Sequence, residues 1–368
     1  VANIFNVYFK NKTLLFKKNS NILNIIIKGE FNSIIENTIN NCFKEIKEAN
    51  LENSRDIKIV VFNYDKETFG KIELKQITDF NKFLISKAPI NEVYIQTKKD
   101  YDIYIREDYI KNELININYK KDLNDERILV FCQPISNIEK TYKNAEVLMR
   151  LNLPRLGIVS PIDFIPMAEK LDLIHTLSLI ILNKVCIKIK ELLNENYEIN
   201  RFSINFSAQE FDSDTFYEEV TNIIDGVGIP YDKLAFEITE TSFMKIEKLN
   251  DIMNKLKEKG IIFYLDDFGT GYSNIDKIVT LPFSTIKFDR SLVLSSKEKT
   301  NSKFIVKNLC DIFKEMKLSI LFEGIETEKE EDMCMSMGAE YLQGYKYSRP
   351  IPIEDIKNYL SISKEKNR

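Results

Sequence analysis

Tryptophan is absent from this 368-residue chain, and histidine occurs once, at His175. A single histidine excludes every mechanism built on a histidine cluster. A Ser-His-Asp hydrolase would have to use His175 itself, and no nucleophile motif points to one. Cysteines are few: Cys42, Cys132, Cys186, Cys310 and Cys334. They are scattered, odd in number and never spaced as Cys-x-x-Cys, which argues against a disulfide framework and a zinc site and fits reduced, buried thiols. No apolar run reaches the roughly 18 residues of a membrane span. The longest candidate, Leu171 to Ile189, is interrupted by Asp172, His175, Asn183 and Lys184. No signal peptide is visible. An excess of positive charge is missing too: 52 Lys and Arg stand against 56 Asp and Glu, a net −4. That excludes the basic field of a broad nucleic-acid binder. The chain begins at Val1 rather than Met, so it reads as a piece of something longer. Its expected place is the cytoplasm, either free or as the cytosolic part of a membrane-attached protein.

What is present suggests two domains, residues 1–120 and 121–368. The first is rich in Asn, Lys and Ile. Phe31 to Ala49 has helical periodicity through Ile34, Ile35, Ile39, Phe43 and Ile46. Ile57 to Phe62 suits a buried strand and Lys75 to Lys87 a second helix. Glu92 to Ile105 reads as a hairpin, Val93–Ile95 and Tyr101–Ile105, turning through Lys98-Lys99-Asp100. Tyr109 to Asp125 reads as a helical connector. Together these make a small α+β domain.

From Arg127 a new rhythm begins. Strands are expected at Ile128–Pro134, Lys143–Leu151, Arg201–Phe206, Leu234–Thr239, Ile261–Asp266, Thr285–Phe288, Ser319–Glu323 and Tyr341–Gly344. Amphipathic helices alternate with the later ones, at Ala208–Ile224, Lys248–Lys259, Lys303–Met316 and Glu328–Met337. Eight strands alternating with helices fit an α/β fold, a (β/α)8 TIM-like barrel. The join Ile135–Tyr142 is too short for a helical crossover, so the first two strands should run antiparallel. An open doubly wound sheet is the competing architecture. No glycine-rich dinucleotide fingerprint or P-loop follows any strand.

The strand ends carry polar residues. Glu146 lies near the middle of the second strand. Asn205 and Glu237 belong to the third and fourth, Asp266-Asp267 to the fifth, Lys287 and Asp289 to the sixth, Glu323 to the seventh and Gln343 to the eighth. One carboxylate at a strand end is ordinarily a helix cap or a solvated loop residue. Here acids recur at equivalent points, and glutamate, a poor N-cap, is frequent. Two carboxylates 4 Å apart repel by about 4 kcal/mol at an effective dielectric near 20. Several converge only with cations or large pKa shifts. Lys287 offsets one charge. Hard oxygen donors without His or Cys select Mg²⁺ or Mn²⁺ for the rest. The Asp266-Asp267 pair is the natural bridge between two ions, and an ion pair about 3.5–4 Å apart clamps a phosphoryl displacement. The residues alone therefore point to phosphodiester hydrolysis.

These stretches resemble the EAL-domain phosphodiesterases, which linearise cyclic di-GMP to pGpG. The matching segments are Gln133-Pro134-Ile135, Glu146-Val147-Leu148 with Arg150, Phe164-Ile165-Pro166 and Asn205-Phe206-Ser207-Ala208. They continue with Phe236-Glu237-Ile238-Thr239-Glu240, Leu265-Asp266-Asp267-Phe268-Gly269-Thr270-Gly271-Tyr272-Ser273 and Ile286-Lys287-Phe288-Asp289. Phe322-Glu323-Gly324-Ile325-Glu326-Thr327 and Gln343-Gly344-Tyr345 complete the set. The resemblance implies that Glu146, Asn205, Glu237, Asp266 and Asp267 bind two Mg²⁺ or Mn²⁺ ions. Lys287 would hold the attacking water, Glu323 would be a ligand or the general base, and Gln343 would position its neighbours. Arg150 would pair with a substrate phosphate, and Asp289 would join the substrate site. Gln133 and Pro350 would lie near a guanine. The Asp-Asp-Phe-Gly loop would couple the metals to a homodimer, with Glu326 bracing that loop.

Two departures stand out: Val147 where the family has Ala, and Leu151 where it has Trp. The single histidine argues against the HD-GYP class, whose iron site uses several. Residues 31–106 are similar to the middle of a GGDEF domain, with Lys98-Lys99-Asp100-Tyr101-Asp102 in place of the motif. A degenerate remnant and a different sensory module such as PAS or GAF are the alternatives there. For the whole chain, a catalytically silent cyclic di-GMP receptor is the alternative to the hydrolase.

Overall fold

The computed structural model describes residues 2–9, 13–17, 23–27, 31–50, 56–64, 74–239, 246–270 and 275–360. The chain divides into two units, Val1–Tyr109 and Ile110–Arg368. In the first, α1 (Ala2–Phe9) and an antiparallel hairpin of β1 (Thr13–Lys17) and β2 (Leu23–Ile27) precede α2 (Ser33–Asn50). Next come β3 (Ile59–Val61), α3 (Leu74–Lys87) and β4 (Val93–Ile95), with β3 and β4 parallel. Ile39, Cys42 and Ile46 recur at helical spacing and bury one face of α2 with Phe5 and Phe9.

The predicted Tyr101–Ile105 strand is not formed. Those residues lie inside α4 (Lys98–Lys120). Thr97 and Asp100 make a reciprocal helix cap. Thr97 N and Oγ1 each donate to Asp100 Oδ2 at 2.7 Å, and Asp100 N donates to Thr97 Oγ1 at 3.3 Å. This Thr-x-x-acid signal for a helix start outweighs the β propensity of Tyr101, Ile103, Tyr104 and Ile105. A helix also puts Tyr101 and Tyr104 on one face, both against Phe80, with ring centroids 5.3 and 5.1 Å away. A strand would have split them between faces.

The second unit begins with β5 (Ile128–Asn137), β6 (Asn144–Leu153), β7 (Gly157–Val159), α5 (Pro161–Lys170) and α6 (Ile174–Asn194). Next are β8 (Arg201–Asn205), α7 (Phe216–Val227), β9 (Leu234–Thr239), α8 (Ile246–Lys259), β10 (Ile262–Phe268) and α9 (Ile275–Thr280). The chain continues through β11 (Phe283–Phe288), α10 (Arg290–Glu298), α11 (Thr300–Glu315), β12 (Ser319–Phe322), α12 (Glu328–Met337), β13 (Tyr341–Leu342) and β14 (Ile351–Pro352). The expected Ala208–Ile224 helix is shorter at its start: a 3-10 turn at Glu210–Asp212 precedes α7.

Strands β6, β8, β9, β10, β11, β12 and β13 pair parallel in that order, and β5 closes the barrel by pairing antiparallel with both β13 and β6. The antiparallel first pair follows from the tight Asn137–Thr141 turn, where Asn137 N donates to Thr141 O at 3.1 Å and Thr141 N to Asn137 Oδ1 at 2.8 Å. With helices outside and side chains inside, β9 is buried along nearly its whole length, as parallel strands require.

Side-chain alternation then sorts the site from its support. Phe236, Phe288 and Phe322 sit next in sequence to Glu237, Lys287 and Glu323 and are fully buried. Neighbours in a strand face opposite ways. Phe288 packs against Phe322 and against Phe313 of α11, while Phe236 packs against Phe206, each contributing roughly 2–3 kcal/mol of apolar burial. The polar residues are left pointing the other way. Among the described residues, no helix is long and apolar enough to cross a membrane.

Candidate active site

Lys287, on β11, is the centre of the arrangement. It is fully buried. Its Nζ lies 2.6 Å from Glu237, 2.8 Å from Glu323, 2.9 Å from Asp266 and 3.7 Å from Glu146. These acids come from β9, the end of β12, β10 and β6. Oxygens of Glu146, Glu237 and Asp266 all lie within 4.8 Å of one another, as do those of Asp266, Asp267 and Glu323, so Asp266 belongs to both groups.

Regular strand alternation would send Asp266 and Asp267 to opposite faces. The backbone avoids this. The β10–β11 register slips between Leu265 and Phe268, and Asp267 adopts a left-handed φ of 54°. Such a bulge re-aims a side chain at a functional site. Asp267 N donates to Asp266 Oδ1 at 2.9 Å. Gly269 then passes under Leu292 of α10, where a Cβ would overlap the leucine side chain. Gly271, Tyr272, Ser273 and Glu240 of the matching stretches lie outside the described residues.

Amide groups complete the cluster. Asn205, the last residue of β8, donates from Nδ2 to Glu146 Oε1 at 3.1 Å. Gln343 donates from Nε2 to Glu146 Oε2 at 2.6 Å and to Gln133 Oε1 at 3.1 Å. Gln133 faces Glu146 across the β5–β6 pair, and its Nε2 donates to the Ser348 carbonyl at 2.9 Å. Gly344 is needed beside Gln343 because a Cβ there would run into the Ile325 backbone.

The remaining predicted residues sit around this centre. Arg150 lies four residues beyond Glu146 on the same face of β6, its guanidinium 5.4 Å from the Phe131 ring centroid. Asp289 caps α10, accepting from Ser291 N at 2.8 Å. Pro350 follows Arg349, whose guanidinium stacks 4.3 Å over Tyr345. Glu326 pairs with Arg290 of α10 at 2.7 Å, so it and the Gly269 loop meet the same helix. Val147 and Leu151 are both buried, on the face of β6 opposite Glu146 and Arg150. Arg290 escaped sequence reasoning. It clamps the segment after Glu323 by donating to the Gly324 carbonyl and pairing with Glu326, and only its position after Asp289 hinted at this.

The electrostatics are those of a site short of positive charge. Burial pushes the Glu237 carboxyl up against the pull of Lys287, with Glu146 and Asp266 adding repulsion. Burial, then Asp266, push Asp267 up to about 6. Glu323 is raised by burial, then by Asp266 and Glu146 against the pull of Lys287. Burial works against the Lys287 charge, yet the surrounding carboxylates hold its pKa well above the ordinary range. Buried Glu237 Oε1 and Gln343 Oε1 have no hydrogen-bond partner. An all-oxygen donor set with an orphaned buried carboxylate oxygen fits a hard divalent cation, and either acid group is able to hold one.

The sequence profile of the EAL domain matches residues 118–350. The chain belongs to the EAL domain family. It is 33% identical over 249 residues to the Probable cyclic di-GMP phosphodiesterase PdeG of Escherichia coli, covering 67% of this chain and 49% of that protein. It is 35% identical over 211 residues to Cyclic di-GMP phosphodiesterase PdeL of Escherichia coli, covering 56% and 58%. The chain thus spans about half the length of these curated relatives. Among solved structures, "PaMucR Phosphodiesterase, c-di-GMP complex" aligns at TM-score 0.61 and 26% identity, over 66% of this chain and 99% of that one. An EAL domain protein from Listeria monocytogenes EGD-e, 24% identical, shares the fold at TM-score 0.58 over 65% and 95%. The EAL fold is therefore a (β/α)8 barrel here, as the strand rhythm predicts.

Proposed function

We propose that this chain is a metal-dependent phosphodiesterase that hydrolyses cyclic di-GMP to linear pGpG. The observation that carries it is the convergence of Glu146, Glu237, Asp266 and Glu323 on one buried lysine, with Asp267 grouped beside Asp266 and Glu323. The names of the relatives supply the substrate. Glu146, Asn205, Glu237, Asp266 and Asp267 would hold Mg²⁺ or Mn²⁺, with Asp266 common to both acid groups. Bound divalent metal supplies a Lewis acid and a water of lowered pKa.

The protein's own residues do the rest. Lys287 keeps its proton, so it is a hydrogen-bond donor that orients the attacking water and not a base. Glu323 has the most exposed side chain of the four acids paired with Lys287, 17% against 10%, 10% and 0%. It is the acid best placed to take the water's proton. The water oxygen bonds to phosphorus, the P–O3′ ester bond breaks, and the leaving oxygen takes a proton from solvent. Gln343 holds Glu146, Arg150 pairs with a phosphate oxygen, and Asp289 and Pro350 border the substrate. Glu326 braces the Asp266–Thr270 loop through α10. The homodimer implied by the resemblance has a candidate face on α11, where Phe304, Ile305 and Ile312 are exposed.

Incubation with cyclic di-GMP and Mg²⁺ or Mn²⁺ should yield pGpG, and chelation should stop it. Ca²⁺ should not support turnover, since its looser coordination suits an in-line metal pair poorly. Tight binding without product would make the chain a receptor; no binding would end both readings.

A further inference from the structure

We propose that His175 is a positioning residue for the candidate cation site: as an imidazolium it holds Glu210, and through Glu210 it sets the turn that carries Asn205. The inference rests on the reading of Asn205 as a metal ligand. His175 lies in the first turn of α6, its ring 5.9 Å from Phe216 of α7. Phe216 also packs edge-on against Phe206, the residue after Asn205. Glu210, 4% exposed, opens the 3-10 turn that follows β8. Its Oε2 accepts from Ser207 N at 2.8 Å, and Ser207 stands just beyond Phe206. Asn205 itself gives Nδ2 to Glu146, which leaves its carbonyl oxygen as the atom able to meet a cation.

The other Glu210 oxygen is left unpaired. Oε1 and His175 Nδ1 lie 3.4 Å apart, both buried and neither with a hydrogen-bond partner. His175 Nε2 meets Glu219 at 2.8 Å. A neutral imidazole carries one N–H. Given to Glu219, it leaves a nitrogen lone pair facing the Glu210 oxygen, and the two repel. An imidazolium presents an N–H to each acid. Other charged neighbours do not replace it. Glu169 of α5 is raised by burial and by Glu210, and Lys121, just past α4, acts on Glu219. Among the described residues, His175 is the one cationic group paired with Glu210. Proton loss therefore releases Glu210, the Ser207 amide loses its fixed acceptor, and Asn205 loses its aim.

Proton binding at His175 and cation binding at Asn205 are thus linked, and linkage is reciprocal. A bound dication should raise the His175 pKa. Its bare charge acts in the opposite direction, since like charges disfavour an imidazolium, so the sign of the shift decides between them.

The test is the titration of His175 followed by NMR in the full chain, metal-free and saturated with diamagnetic Mg²⁺. Histidine occurs once, so a single imidazole Cε1–H signal reports it. The expected result is a midpoint raised by about 0.7 or more on Mg²⁺ binding, fivefold in proton affinity and the low end of coupling between linked sites. In Glu210→Gln the rise should vanish. That amide still accepts from Ser207 through Oε1 and offers an N–H to a neutral imidazole, so it holds the turn without the proton. An unmoved or lowered midpoint in wild type that binds Mg²⁺ by calorimetry would overturn the proposal and leave the metal reading standing. An equal rise in both chains would overturn it too, because the link would bypass Glu210. The wild-type titration needs no variant, so it decides the sign even if Glu210→Gln does not fold. Wild type that takes up no Mg²⁺ would remove the metal reading and this inference with it.

Discussion

Each unit of this chain buries an acid, and the two acids are treated in opposite ways. Asp100, 6% exposed, receives Tyr94 Oη on one oxygen and Thr97 N and Oγ1 on the other. Burial opposes its charge, but the bonds from Thr97 and Tyr94 outweigh that and hold its pKa below the ordinary carboxylate range. Glu237, fully buried, has Lys287 on one oxygen and nothing on the other, and burial among like charges raises it. The first acid is satisfied by its own chain and serves structure. The second is held by a rigid barrel beside other acids, with less positive charge than it needs. On the metal reading proposed above, an acid kept in that condition marks a place for a cation the protein does not supply.

That contrast can be broken at several points. The largest effect is expected from Glu237→Gln: pGpG formation should fall by more than the about 100-fold that a lost ligand partner costs, while the melting temperature holds or rises because one repelling charge is gone. Full turnover by this variant would make Glu237 a structural acid like Asp100. Lys287→Met leaves its acids uncompensated and should cost about 3–5 kcal/mol of stability in chelator, with part of the loss recovered on adding Mn²⁺; urea unfolding measures both. Asp100→Ala should cost about 1 kcal/mol, the usual value of a helix cap, with Mn²⁺ binding unchanged.

The smallest effect concerns the lone histidine. His175 Nε2 meets Glu219 at 2.8 Å, and Nδ1 lies 3.4 Å from Glu210, a charge contact without hydrogen-bond geometry. Glu210 and then Glu219, against burial, raise its pKa. Stability from this group is full below the ordinary imidazole value of about 6.5 and is lost as pH rises through the raised folded value. The melting-temperature gap between wild type and His175→Gln should therefore be widest in mild acid and close at higher pH. A constant gap would remove the charge from the account.

Much of the barrel was legible because parallel strands buried on both faces leave continuous apolar runs, and a polar residue at the end of such a run is conspicuous. Glu237 after Phe236 and Lys287 before Phe288 are examples. Tyr101–Ile105 reads as a strand because its β-branched and aromatic residues are conspicuous, whereas the Thr97–Asp100 cap that starts the helix is two small signals three residues apart. The bulge that aims Asp267 beside Asp266 leaves no sequence mark except the following Phe268-Gly269. The amide chain from Ser348 to Glu146 joins residues more than 200 positions apart, and no spacing rule reaches that far. The Glu326–Arg290 pair is similar: each residue was visible, the partnership was not.

In the proposed function, the strand-end acids gather because divalent cations belong among them. The most direct measurement is a Mn²⁺ titration of the metal-free chain, counting bound ions by electron paramagnetic resonance, for wild type and Asp266→Asn. Saturable binding of two ions per chain, lost or halved in the variant, is the predicted result. A wild-type chain that binds no Mn²⁺ at millimolar concentration, or a variant that binds as wild type does, would contradict it.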